Sequence, residues 1–155
     1  MPTFNTTRYT AMTGSAGSSP SAAYPLSKFV QGKERTAVIP HTLVGTEAAA
    51  DIINIIRLKD GAIPLVSRCR VVCEDPGTAL TLDIGYASNT DALCDGLALT
   101  TAHDLPFTSG GTAVAEQYVP AALAHADRDI IATVMTATAL TVGAKLLFII
   151  AYLDE

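Results

Sequence analysis

Three histidines, His41, His103 and His125, are the first residues to consider for metal binding or acid–base chemistry. They lie far apart along the chain and form neither a His-x-His nor a His-Glu-x-x-His pattern. A folded chain can gather distant histidines, but sites of that kind usually draw on a local histidine pair with a carboxylate. We therefore expect solvated or loop histidines and predict no metal site.

Carboxylates and hydroxyls give no stronger candidate for catalysis. Asp91, Asp95 and Asp104 could supply oxygen ligands to calcium, but their spacing lacks the order of an EF-hand loop and favours a solvated acidic loop. Ser109 precedes two glycines without forming a Gly-x-Ser-x-Gly nucleophile motif. The chain has no tryptophan, which argues against a sugar-cleaving cleft. The sequence thus predicts no catalytic residue, no cofactor and no enzyme activity.

The cysteines indicate a reducing compartment. Cys69, Cys73 and Cys94 make an odd count, which argues against a disulfide framework. If Cys69 and Cys73 lie in one strand, their thiols are about 13 Å apart at about 3.3 Å per residue, too far for a bridge or a shared metal. We expect three separate buried thiols.

Composition indicates one domain that either has an unusually apolar surface or hides apolar surface against partners. The chain has 155 residues, of which 49% are hydrophobic and 16% charged. No apolar run reaches the roughly 18 to 20 residues of a membrane span, and the N-terminus lacks the pattern of a secretory signal. These features favour an oligomer and give no reason to expect a membrane partner.

Residues 1–34 have the composition of an extended arm. Thr13–Ala23 is rich in Ser, Gly and Ala, and residues 1–35 carry four of the ten Lys and Arg residues but one of the 15 Asp and Glu residues. Dispersed cations are not typical of nucleic-acid binding, so an acidic protein surface is the expected partner. We predict that the arm orders on a neighbouring subunit or another protein; the alternative is a degradable tail. The candidate contact residues are Phe4, Arg8, Tyr9, Tyr24, Lys28, Phe29, Lys33 and Arg35.

The clearest local pattern is a turn followed by a strand. In Asp75-Pro76-Gly77, proline presets its own backbone angle and glycine can adopt a positive φ. From Thr78 to Tyr86, apolar residues alternate with small or polar ones, which is typical of a half-buried strand. This alternation places Asp83 on the solvent face.

Similar patterns elsewhere predict an all-β fold. The expected strands are Thr36–Val44 (an edge, because of Pro40), Asp51–Leu58 (central), Ala62–Cys73, Gly96–Thr101, Thr112–Val119, Asp129–Ala137 and Lys145–Leu153. Asn89–Asp95 is predicted to be a loop or short helical turn. About eight strands with turns every 8 to 12 residues favour an antiparallel β-sandwich or jelly roll over residues 35–155.

The last predicted strand, Lys145–Leu153, is apolar on both sides. Such a strand lies either in the middle of a sheet between layers or at a subunit interface. We therefore predict that Leu147, Ile149 and Leu153 form an oligomer interface.

The order of motifs from residue 50 onward resembles a family of small structural proteins of tailed bacteriophages, the capsid decoration or cement proteins. The resemblance is carried by ADIINIIRLKDGA (Ala50–Ala62), VVCEDPGTALTLDIG (Val71–Gly85), DALCDGLAL (Asp91–Leu99) and the closing segment Asp127–Tyr152. It covers about two-thirds of the chain and includes none of the arm.

This resemblance implies a non-enzymatic virion protein that binds the outer surface of an assembled phage capsid and stabilises it. It further implies synthesis in the host bacterial cytoplasm, the major capsid protein as partner, and a homotrimer or other homo-oligomer. The alternative is a carbohydrate- or receptor-binding β module of a head fibre or tail. That function needs an exposed aromatic platform, for which Tyr86, Phe107 and Tyr118 are the candidates.

Overall fold

The computed structural model describes residues 33–110 and 128–154, and nearly all of its regular structure is β-strand. The nine strands of these residues are β1 (Lys33–Thr42), β2 (Ile52–Arg57), β3 (Ile63–Pro64), β4 (Arg70–Cys73), β5 (Gly77–Tyr86), β6 (Asn89–Leu99), β7 (His103–Pro106), β8 (Asp129–Leu140) and β9 (Lys145–Asp154). Two 3₁₀ turns, Val66–Arg68 and Phe107–Ser109, follow β3 and β7.

The strands form two sheets that pack as a sandwich. The first sheet has the order β1-β9-β4-β7, with the two-residue β3 also paired to β9, and the second has the order β2-β8-β5-β6. Apart from β3, the strands pair in a nested order along the sequence, so that the first strand lies beside the last and the two middle strands lie beside each other. The pairs are β1 with β9, β2 with β8, β4 with β7, and β5 with β6. Successive pairs alternate between the sheets. This is the winding of a jelly roll, so the sequence-based prediction of an antiparallel sandwich or jelly roll is confirmed.

The core lies between the sheets and is built from alternating residues of the central strands. In β9, Leu146, Phe148 and Ile150 are buried against the second sheet, whereas Leu147 and Ile149 between them are half-buried. Burying such a side chain stabilises the fold by about 1.5 to 3 kcal/mol. β9 has β1 on one side and β4 on the other, which confirms the predicted mid-sheet position.

The turn before β5 has the structure that the sequence predicts. Gly77 has φ of +113°, and its N–H donates to Oδ1 of Asp75 at 3.0 Å. A Cβ at Gly77 would lie 2.2 Å from the carbonyl oxygen of Ala139, so glycine is required for space as well as for conformation. Because β5 pairs with both β6 and β8, this turn sets the start of a central strand.

Two strand positions differ from the prediction. β2 is an edge strand of the second sheet, not a central one, and its Ile52 is 57% exposed. β2 has β-branched residues on both of its faces because a bulge lies between Asn54 and Ile56. Beyond this bulge the alternation of buried and exposed side chains is shifted by one residue. The predicted strand Ala62–Cys73 is broken into β3 and β4 by the 3₁₀ turn.

The predicted loop at Asn89–Asp95 is wrong, because these residues begin β6. The polar sequence Asn-Thr-Asp at the start of this segment is typical of a loop. Nevertheless, β6 pairs with β5 along its whole length, from Asn89 opposite Tyr86 to Leu99 opposite Leu80. Two register shifts accommodate the irregular sequence within the strand pair. The predicted strand Thr112–Val119 lies outside the described residues.

Candidate docking site

The residues proposed from sequence as an arm contact lie mostly outside the described residues: Phe4, Arg8, Tyr9, Tyr24, Lys28 and Phe29. Lys33 and Arg35 are within β1, where both are exposed. Nε of Arg35 lies 3.1 Å from Oδ2 of Asp154, so this cation ties the first strand to the end of the last. The side chain of Arg35 is therefore already engaged within the sandwich.

The predicted oligomer residues share one strand. Leu147, Ile149 and Leu153 lie in β9 and are half-buried. Val72, opposite Leu147, is also half-buried, and the exposed Val38 lies in the adjacent β1. The structure thus brings these residues onto an apolar stripe of the first sheet, while their role in assembly stays a prediction.

A second, unanticipated surface is formed where four connections meet at one end of the sandwich. These connections are residues 43–51, 74–76, 100–102 and 141–144, and we call their assembly the four-loop end. The jelly-roll winding brings them together because, in an antiparallel pair, the end of one strand lies beside the start of its neighbour. Cys73, at the end of β4, lies opposite His103 and Leu146 near the starts of β7 and β9. Gly77, at the start of β5, lies opposite Leu140 at the end of β8.

Backbone hydrogen bonds hold the four-loop end in place. The N–H of Leu43 donates to the carbonyl of Ala144 at 2.9 Å, and the N–H of Gly143 donates to the carbonyl of Leu43 at 2.9 Å. The buried side chain of Leu43 anchors the first connection in the core. The N–H of Thr141 donates to the carbonyl of Pro76 at 2.9 Å, which joins a third connection to the other two.

Glu47 organises the first connection from within. Its two carboxylate oxygens accept the N–H groups of Val44 at 2.7 Å and Gly45 at 2.8 Å. Partial burial opposes ionisation of Glu47, but these hydrogen bonds outweigh it and hold the pKa of the carboxyl below its usual value. The loop is therefore built around an ionised glutamate.

Two large apolar side chains project from this rigid frame. Val44 is 63% exposed and Val142 is 73% exposed. They come from adjacent connections, since a Cβ at Gly45 would lie 2.5 Å from Cγ2 of Val142. Ile52 and Met135 are also exposed, and they lie in β2 and β8 next to the last residues of the first connection, where Ala50 and Asp51 are hydrogen-bonded to Val134.

The charge of the four-loop end is acidic. Its connections contain Glu47, Asp51, Glu74 and Asp75 and no lysine or arginine. Each carboxylate accepts a backbone N–H, for example Glu74 from Lys145 at 3.0 Å, so the negative charges are held in fixed positions. A surface that combines exposed apolar side chains with fixed carboxylates is suited to bind a partner that is both apolar and basic.

Asp83 is buried, contrary to the prediction that it faces solvent. It is 6% exposed, and its Oδ1 accepts the N–H of Gly96 at 2.8 Å. Burial is the main cause that raises the pKa of this carboxyl, and the nearby Asp95 and Asp91 raise it further. A register shift in the pairing of β5 with β6 brings Gly96 over it, which period-2 alternation does not reveal.

The remaining polar candidates do not converge on a reactive site within the described residues. Asp104 pairs with Arg70 at 3.0 Å instead of joining Asp91 and Asp95. In residues 33–110 and 128–154, no group of three metal-binding side chains is placed to hold an ion. The same residues include no helix that could span a membrane.

The three cysteines are buried and unbridged, as the sequence predicts. Burial raises the pKa of Cys69 to about 11 and that of Cys94 to about 12. The pKa of Cys73 is also raised by burial. Such thiols are poor nucleophiles at neutral pH.

The aromatic platform required for carbohydrate recognition is not formed by two of its three candidates. Tyr86 is 7% exposed and Phe107 is fully buried, and both belong to the core. Tyr118 lies outside the described residues. Aromatic rings buried in a core cannot stack on a sugar.

The architecture defines the chain as a two-sheet jelly roll, and comparison with solved structures gives the same class. It is similar to a chain of the cyanophage Pam1 capsid asymmetric unit, with 18% identity and a TM-score of 0.53 over 92% of this chain and 98% of that one. It is also similar to a chain of the Ralstonia phage GP4 capsid, with 17% identity and a TM-score of 0.49 over 80% and 86% of the two chains. At this identity the first likeness shows the fold. No protein-family model and no curated protein matches the sequence.

Sequence reasoning missed the four-loop end, although a weak local signal was present. Val44 precedes Gly45, and Val142 precedes Gly143, so each valine adjoins a glycine with positive φ. A β-branched apolar residue beside a turn glycine is unusual, because turns favour small polar residues. That the two turns are neighbours follows only from the winding of the chain.

Proposed function

We propose that this protein is a structural component of a tailed-phage head, which binds the outer surface of the assembled shell and stabilises it. The observation that carries the proposal is the likeness, over nearly the whole of both chains, to a chain of the Pam1 capsid asymmetric unit. Because 92% of one chain aligns with 98% of the other, the two chains have similar lengths and the likeness extends over both as wholes.

The surface chemistry supports attachment rather than catalysis. The described residues present an apolar, acidic four-loop end and an apolar stripe that includes Leu147 and Ile149. Several of their charged side chains form ion pairs within the domain, for example Arg57 with Asp129. Several weak contacts of this kind, repeated over a symmetric shell, combine into stable attachment through their high effective concentration.

The partner in this proposal is the major capsid protein, and the attached form is a homotrimer or other homo-oligomer. In that oligomer, Leu147, Ile149 and Leu153 provide the subunit contact, because they are half-buried and alternate with the core residues of β9 instead of belonging to the core. Synthesis in the reducing host cytoplasm agrees with three unbridged thiols. Neither a nucleic acid nor a membrane takes part in this function.

Labelling of intact virions tests the location directly. An antibody against the folded domain, applied to purified phage particles, should decorate heads at many regularly spaced positions in electron micrographs. Particles that bind the antibody only after disruption would place the protein inside and overturn the proposal. Labelling confined to tails or fibres, together with specific binding on a glycan array, would favour the receptor-binding alternative.

A further inference from the structure

The four-loop end carries carboxylates in fixed positions, of which only Glu47 has a basic side chain within ion-pair distance in the described residues, Nε2 of His41 at 3.8 Å. Within residues 33–110 and 128–154, no lysine or arginine forms an ion pair with Asp51, Glu74 or Asp75. Some carboxylates elsewhere in the same residues do form ion pairs, as Asp104 does with Arg70 and Asp129 with Arg57. The four-loop end is therefore an acidic surface that is open to a cationic partner.

The exposed valines add an apolar component to this acidic surface. Val44 and Val142 project from connections that are hydrogen-bonded to one another, so little conformational entropy is lost when a partner covers them. The four-loop ends of two copies would not bind each other, because their like charges would face one another. The partner must therefore be basic as well as apolar.

Residues 1–32 of the chain have that composition. They contain Arg8 and Lys28 and no Asp or Glu, so all of their charged side chains are cationic. They also contain four of the chain's nine aromatic residues, Phe4, Tyr9, Tyr24 and Phe29. Charge and apolar content are thus complementary to those of the four-loop end.

The direction of β1 argues for a contact between copies. β1 begins at Lys33 and ends beside the four-loop end, so Lys33 lies at the opposite end of the sandwich, about 33 Å away at about 3.3 Å per strand residue. An arm that binds the four-loop end of its own copy must double back along the whole domain. An arm of 32 residues has an extended reach of roughly 105 Å, which is long enough for either path, but the path to a neighbour needs no reversal of direction at Lys33.

We propose that the four-loop end of one copy binds the arm, residues 1–32, of a second copy. The aromatic side chains of the arm cover Val44 and Val142, and its cations approach Glu74 and Asp75. This contact links copies of the chain to one another, and it is independent of whether the protein binds phage heads. A head-to-tail contact of this kind generates closed rings or extended arrays around a symmetric support.

Photo-cross-linking between isotopically distinct full-length chains tests the proposal. One chain carries Tyr9→p-benzoylphenylalanine or Phe29→p-benzoylphenylalanine and natural isotopes, and the other is unmodified and labelled with ¹⁵N. After irradiation of the mixture, mass spectrometry should find cross-links from the arm of the first chain to residues 43–51 or 141–144 of the ¹⁵N chain. Cross-links mainly within one chain, cross-links to other surfaces only, or none, would each overturn the proposal.

Matched variants distinguish a specific contact from non-specific contact. The double variant Val44→Ser and Val142→Ser in the ¹⁵N chain should reduce the cross-link yield by about tenfold, because the buried apolar area is lost. Thr90→Ala, at an exposed position in the β5–β6 hairpin at the other end of the sandwich, should leave the yield unchanged. Equal yields from all three ¹⁵N chains would contradict the assignment. Because the measurement uses purified protein alone, failure here leaves the proposed attachment to heads intact.

Discussion

Nε of Arg35 in β1 lies 3.1 Å from Oδ2 of Asp154, the last residue of β9, and Nζ of Lys59 lies 3.4 Å from the same oxygen. One buried carboxylate therefore joins the first strand, the connection after β2 and the last strand. We predict that Asp154→Asn lowers the free energy of unfolding by about 1 kcal/mol, because both cations are at least half exposed. Urea denaturation measures this change. Asp129→Asn is the control, because it removes a more exposed pair, with Arg57 67% and Asp129 45% exposed, and should lower the midpoint less.

Asp83→Asn is expected to stabilise the protein at neutral pH. The amide retains an oxygen that can accept the N–H of Gly96 but carries no charge to be desolvated or repelled by Asp95 and Asp91. Because the pKa of Asp83 is raised in the folded state, its stabilising contribution is full below the unfolded pKa and is lost as pH rises through the folded pKa. The Tm of the variant should exceed that of the parent by a few degrees at pH 7 and converge with it in acid. A lower Tm at pH 7 would show that the buried charge is stabilising.

Two glycines with positive φ should respond differently to alanine. At Gly77 the new Cβ meets the backbone at Ala139, whereas at Gly143 no atom lies within 4 Å. Gly143→Ala therefore costs about 1 to 2 kcal/mol for the left-handed backbone alone, and Gly77→Ala should cost clearly more. Urea denaturation of both variants under the same conditions provides the comparison. Equal losses would mean that the turn before β5 adjusts without strain.

The three thiols should be unreactive while the protein is folded. Burial raises the pKa of Cys69 to about 11 and that of Cys94 to about 12, so at pH 8 the thiolate fraction is very small. Ellman's reagent at pH 8 should detect much less than one equivalent in the native protein and three after denaturation. Rapid reaction of one thiol in native protein would show that its part of the core opens readily.

Local sequence signals predicted the elements whose structure is set by near neighbours. The turn at Gly77, the alternation in β5 and the apolar strand β9 are of this kind, because each depends on backbone angles or on period-2 burial. The edge position of β2 and the extent of β6 were mispredicted, since bulges change the burial parity at Ile56 and bring Gly96 over Asp83. Neither effect leaves a signal within a few residues.

The four-loop end could not be predicted, because it depends on which connections the winding brings together. Val44 and Val142 are 98 positions apart and become neighbours only because β1 pairs with β9. The arm, by contrast, is a prediction from composition alone, since charge and aromatic content do not depend on the fold. Sequence thus proposes a binding segment, and the fold provides its proposed acceptor.

Reconstitution on phage heads that lack this protein tests the central claim most directly. Purified protein is added to such heads, and co-sedimentation and the temperature of DNA release are measured with and without it. The account predicts saturable binding at a fixed number of copies per head and a higher release temperature, with weaker binding after deletion of residues 1–32. Protein that stays in the supernatant at every concentration, with an unchanged release temperature, would contradict it.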